Sequence, residues 1–136
     1  MKAEPLHEGK RWMTQAEYDL KDAEFTFKGK RYNLTCFLAQ QSAEKALKAF
    51  LYSKGAEQVW GHSVAELCEE AIKIDEIFKK LKSEAAPLDK FYIPTRYPNG
   101  LPGGIPAEAF DKYDAERGLE MAKRVINFIK EKLGEE

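Results

Sequence analysis

The stretch Arg31–Lys54, RYNLTCFLAQQSAEKALKAFLYSK, constrains this chain more than any other. It contains no proline or glycine, and Gly55 closes it. Leu34, Phe37, Leu38, Ala39, Ala43, Ala46, Leu47, Phe50 and Leu51 recur at helical spacing and cover a broad face. One neighbour cannot bury a face that wide, so the segment is expected to be the central helix of a helical domain. Alanines between the larger side chains let adjacent helices approach closely.

The flanking sequence supplies those neighbours. Trp12, Met13, Ala16, Leu20, Ala23 and Phe27 mark an amphipathic helix, with Gly29 placed for a left-handed C′ residue. Met1–Arg11 reads as a loose tail. Ser63 followed by Glu66 has the pattern of a capping box and starts a third helix near Val64, with Val64, Leu67, Cys68, Ala71 and Ile72 inward. Asp75 restarts a short helix through Ile77, Phe78 and Leu81, and Pro87 opens a further segment through Leu88 and Phe91. Ala115, Leu119, Ala122, Val125, Ile126, Ile129 and Leu133 define the last helix, capped by Asp111 or Asp114. No stretch alternates at period two. The expected fold is all-α: an antiparallel up-and-down bundle of four to five helices forming one domain over residues 1–136. A long loop precedes the last helix. In Tyr92–Pro106, YIPTRYPNGLPGGIP, four prolines and three glycines exclude a helix.

Composition removes several function classes. Lysine and arginine number 22 against 23 acids, so a net charge of −1 provides no general attraction to nucleic acid. The two cysteines, Cys36 and Cys68, lie among apolar neighbours and read as buried reduced thiols. With His7 and His62 the only histidines, no zinc-binding spacing can be assembled, and neither metal nor cofactor is expected. There is no apolar leader core in the polar first ten residues and no run of membrane-spanning length, so the chain is expected to be cytoplasmic. Gly100–Gly104 is glycine-rich but lacks the lysine and the preceding strand of a phosphate loop. No serine sits in a nucleophile elbow, and no catalytic residue is assigned.

Three places carry unexplained polarity. Gln41, Glu44, Lys45 and Lys48 share one side of the second helix. They are either surface pairs, worth about 0.3–0.5 kcal/mol for Glu44 and Lys48, or a polar network at an interior or a dimer seam. His62 precedes the Ser63 cap, where its ring can bond nearby backbone or stand beside helix amides that favour an anion. In the loop, Tyr92 and Tyr97 can stack on a base or pack on the bundle. Arg96 can clamp the loop, through Asp89 or a helix C-terminus, or can meet a phosphate.

FLAQQSAEKALKAFL (Phe37–Leu51), GHSVAEL (Gly61–Leu67) and LDKFYIPTRYP (Leu88–Pro98), in this order, resemble the HEPN family, the higher eukaryotes and prokaryotes nucleotide-binding domain. The resemblance runs from about Tyr18 to Ile129. It implies a helical bundle, a homodimer, nucleotide binding and a minimal nucleotidyltransferase partner, in some cases as toxin and antitoxin. The matching positions are Gln41, Lys45 and Lys48, then His62, then Arg96 and Tyr97. Many relatives are metal-independent ribonucleases that use an arginine and a histidine a few residues apart. Here Arg96 is followed by Tyr97-Pro98-Asn99-Gly100-Leu101-Pro102-Gly103 with no histidine. A binding module is therefore the leading expectation, and a ribonuclease with an atypical site is the alternative. RNA ranks behind a nucleotide as a ligand.

Overall fold

The computed structural model describes residues 4–134. Its described residues are helical without strands: α1 (Pro5–Lys28), α2 (Tyr32–Ser53), α3 (Val64–Ile72), α4 (Phe78–Ala85), the single turn α5 (Pro106–Ala109) and α6 (Lys112–Lys132). A 3-10 segment, Ala86–Phe91, extends α4. The expected helical bundle is present, with α2 at its centre, packed against α1 and α6.

Cross-helix contacts give the directions. The Ser42 hydroxyl donates to the Ala16 carbonyl at 2.7 Å and Thr26 meets Thr35 at 2.9 Å, so α1 and α2 are antiparallel. Lys123 pairs with Glu24 and Lys130 with Glu17, which sets α6 antiparallel to α1. Phe78 packs on Phe128, Glu84 pairs with Arg124, and the Phe91 ring lies against Gly118, so α4 and its 3-10 extension return antiparallel to α6. The core between these layers contains Leu47, Phe50, Val64, Phe78, Leu88, Val125 and Ile129, all at or near complete burial. Phe78 joins its aromatic centre, 4.5 Å from Phe50 and 4.9 Å from Phe128.

Two local expectations are corrected. Residues 5–11 are not a tail but the first turns of α1; Met1–Ala3 of that tail lie outside the described residues. Pro5 stands where a helix start tolerates proline. Glu8 then ties the turn by accepting from Arg11 and from the Trp12 indole at 3.1 Å. Gly9 has no room for a side chain: a Cβ would sit 2.8 Å from the Ala49 carbonyl oxygen. Trp12 stacks on Tyr52 at 5.1 Å, fastening this end of α1 to α2.

The second correction is at the other end of α1. Gly29 has φ −83° and is not left-handed; Lys30, at φ +60°, is. Arg31 N–H bonds to the Thr26 carbonyl and Lys30 N–H to the Phe27 carbonyl, a Schellman arrangement with lysine at the strained position. The cap falls one residue later than glycine alone suggested.

Candidate functional site

The centre of the site is a carboxylate that a bundle does not need. Glu44, on α2, is only 3% exposed. An unpaired buried carboxylate is costly, so its partners matter. Lys48, one turn on and 6% exposed, donates Nζ to Glu44 Oε2 at 3.0 Å. Gln40 and Gln41 bring their side-chain amides within 3.4 Å of Oε1. The imidazole of His62 places Nδ1 3.2 Å from both carboxylate oxygens. Gln40, fully buried, also donates to the His62 carbonyl at 2.7 Å, and Gln41 donates to Gln40 Oε1 at 2.8 Å. His62 is thus held by ring and by backbone, while more than half of its side chain faces solvent.

The exposed loop meets the same histidine. The Tyr92 ring stacks on His62 at 4.8 Å and 19°. The Arg96 guanidinium lies over three rings: Phe37 of α2 at 4.2 Å, Tyr92 at 4.8 Å and Tyr97 at 5.1 Å. Its Nε donates to the Tyr92 carbonyl, at the end of the 3-10 segment, at 3.0 Å. A flat guanidinium suits this stack in a way an ammonium does not. Asn33 adds a tie from α2 to the Thr95 carbonyl at 3.1 Å, and Thr95 is itself buried. The outcome is a continuous surface, Lys48–Glu44–His62–Tyr92–Arg96, running from the buried interior to solvent.

Asp89, one of the two partners expected for Arg96, is engaged elsewhere. It accepts from the Ser63 hydroxyl at 2.7 Å, Val64 N–H at 2.6 Å and Ala65 N–H at 3.2 Å. Ser63 Oγ accepts from Glu66 N–H, the expected half of the cap. The first-turn amides of α3 are therefore already bonded, and the idea that they favour an anion beside His62 has no amide to rest on. Arg96 clamps the loop through a 3-10 terminus and aromatic faces instead.

A family model for the HEPN domain matches residues 10–133. The chain belongs to the HEPN family. It is similar to three crystal structures: TT1696 from Thermus thermophilus (35% identity, TM-score 0.86, 92% of this chain and 98% of that one), ST0689, an archaeal HEPN homologue (35%, 0.77, 98% and 99%), and the HEPN domain protein tm0613 from Thermotoga maritima (31%, 0.71, 91% and 98%). Among curated proteins it is 31% identical over 138 residues to one from Methanocaldococcus jannaschii named "Putative toxin MJ1304", covering 92% of this chain and 90% of that protein.

In this HEPN domain the candidate residues divide. Gln41, Lys48, His62, Tyr92, Arg96 and Tyr97 converge on one surface. Lys45 does not: its Nζ bonds Asp19 of α1 at 2.6 Å, and Gln15 bonds the other oxygen of Asp19. Gln40 and Phe37 belong to the arrangement although the sequence did not single them out, whereas Glu44 was expected either in a surface pair or in an interior polar network, and its burial decides for the network. Glu44 carries a signal in the sequence, an acid inside the apolar segment, but the i,i+4 lysine makes it look like a surface pair. Both cysteines are free and buried, and burial pushes each thiol up to about 12, so neither suits nucleophilic work. Among the described residues no cluster of acids, histidines and cysteines could hold a metal, and no helix is long and apolar enough to cross a membrane.

Proposed function

We propose that this chain is the toxin-type HEPN component of a two-component unit, a homodimer that associates with a minimal nucleotidyltransferase and binds a nucleotide at the His62–Tyr92–Arg96 surface. The observation that carries this reading is the buried Glu44 carboxylate that grips a half-exposed histidine. Burying an ion pair is a poor way to stabilise a bundle, because the desolvation cost offsets most of the attraction. It is a good way to hold a functional side chain in one orientation. Arg96 uses Nε on the Tyr92 carbonyl, while its two terminal nitrogens have no hydrogen-bond partner among the described residues. They supply the phosphate-facing donors. The toxin name of the Methanocaldococcus jannaschii relative supports the two-component context.

Calorimetric titration with ATP and GTP tests the ligand. Binding should be lost in His62→Ala and weakened in Arg96→Ala, and absence of binding by the native protein would end the nucleotide reading. Sedimentation equilibrium tests the homodimer, and co-purification with the product of the adjacent reading frame tests the partner.

A second reading, the metal-independent ribonuclease, is favoured by one feature: Glu44 holds His62 as carboxylates hold catalytic imidazoles. RNA cleavage that persists in chelator and disappears in His62→Ala would establish it.

A further inference from the structure

Resting on the nucleotide reading, we propose that His62 binds a phosphate group only together with a proton, so that ligand occupancy of this surface reports pH. The geometry requires this coupling. Glu44, as a carboxylate, can only accept hydrogen bonds, and Nδ1 of His62 lies 3.2 Å from both of its oxygens. Nδ1 must therefore be the donor. In the neutral ring the other nitrogen, Nε2, is then a lone pair, on a side chain that is 56% exposed. A phosphate oxygen is also an acceptor, and two acceptors cannot bond. Once the ring takes up a proton, Nε2 becomes a donor and the side chain becomes a cation, against the same Tyr92 ring that carries Arg96. The anion then meets a charged donor at Nε2 instead of a lone pair.

The surroundings set up the switch without completing it. From α2, Glu44 faces Nδ1, and Lys48 is paired with the same carboxylate. From the loop, Arg96 shares the Tyr92 ring with the imidazole. From the 3-10 segment, Asp89 is directed at the α3 amides through Ser63 and Val64. An acceptor oxygen of the ligand finds a donor at Nε2 only in the protonated ring, so anion and proton bind cooperatively.

The test uses a ligand whose own charge does not change. Cyclic AMP, a phosphodiester, remains a monoanion between about pH 5 and 8, the interval in which imidazole takes up its proton. Its affinity is measured by calorimetry across that interval for the native protein and for His62→Gln, which keeps a hydrogen-bonding side chain without titrating. Nitrogen-15 spectra of the imidazoles are read in parallel, with only His7 and His62 to assign. The expected result is affinity that falls as pH rises, by up to about tenfold per pH unit, a weak and pH-independent His62→Gln, and a neutral His62 ring protonated on Nδ1. Native affinity that is flat with pH, or a neutral ring protonated on Nε2, overturns the coupling and leaves the nucleotide reading standing. No binding of cyclic AMP at any pH overturns the coupling, and the nucleotide reading falls with it only if ATP and GTP also fail to bind.

Discussion

Lys48→Met isolates the energetic question the site raises. Methionine keeps the length and packing of the lysine stem and removes only the ammonium. That ammonium lies 3.0 Å from Glu44 Oε2, with the two side chains 7% and 4% exposed. At an effective dielectric of about 20, two charges at this distance attract by about 5 kcal/mol, most of which desolvation offsets in the intact pair. The single substitution removes the attraction and leaves the desolvated carboxylate, so it should cost about 3–5 kcal/mol. For a domain of ordinary stability, about 5–15 kcal/mol, that is a large fraction. Urea unfolding followed by far-ultraviolet circular dichroism should show the midpoint falling by about 1–5 M at an m-value of about 1–3 kcal/mol/M. The double variant Lys48→Met with Glu44→Gln should recover much of the loss, because the remaining polar groups are neutral and can still pair. A coupling of about 1–3 kcal/mol is expected from that cycle. If Lys48→Met costs under about 1 kcal/mol, the pair behaves like an exposed one, and the claim that a functional need keeps it buried loses its footing.

Lys30→Gly should stabilise the domain by about 0.5–1 kcal/mol, read as a raised thermal midpoint, because Lys30 sits at φ +60°; a lowered midpoint would refute the strain. Cys36 and Cys68, with thiols pushed up to about 12 by burial, should resist a disulfide reagent at neutral pH and both react in denaturant; rapid reaction of either in the native protein would show that the core opens readily. Arg96→Ala should cost about 2–4 kcal/mol through its charged hydrogen bond and ring contacts, and Arg96→Lys should recover less than half; an unchanged melting midpoint in Arg96→Ala defeats the clamp. Leu47→Ala, at a fully buried position, should cost about 2–5 kcal/mol in the same melts.

Helices were readable wherever burial follows a simple period. The alanine-rich face of α2 announced a centre, and Ser63, Asp111 and Asp114 announced helix starts because caps are local chemistry; α6 has the full capping box between Asp111 and Asp114. The site was readable only in outline. Spacing placed Glu44 and Lys48 one turn apart, but spacing cannot say whether solvent reaches them. The return of the 54–63 loop lays His62 over Glu44, and Trp12 of α1 stands over the Lys48 ammonium at 5.7 Å. Of the two partners offered for Arg96, Asp89 or a helix C-terminus, the structure takes a 3-10 terminus, because Asp89 reaches back across twenty-five residues to the start of α3. The surplus of aromatic rings near Arg96 was visible, yet Phe37 belongs to another helix, and only the fold brings it within 4.2 Å.

The reach of Asp89 also has a bearing on the order in which this chain assembles and loosens. A nine-residue helix does not sustain itself in water, and α3 obtains much of its starting hydrogen bonding from a residue beyond α4. It cannot finish forming until the 3-10 segment has docked, and it cannot keep its first turn when that segment lifts. The two segments therefore open as one cooperative unit, and hydrogen exchange should report the amides of Val64 and Ala65 rising and falling with those of the Leu88–Phe91 stretch. His62 lies just before the Ser63 cap of that helix and Tyr92 immediately after that stretch, so each such opening should loosen the stacking of the tyrosine on a histidine that α2 still holds.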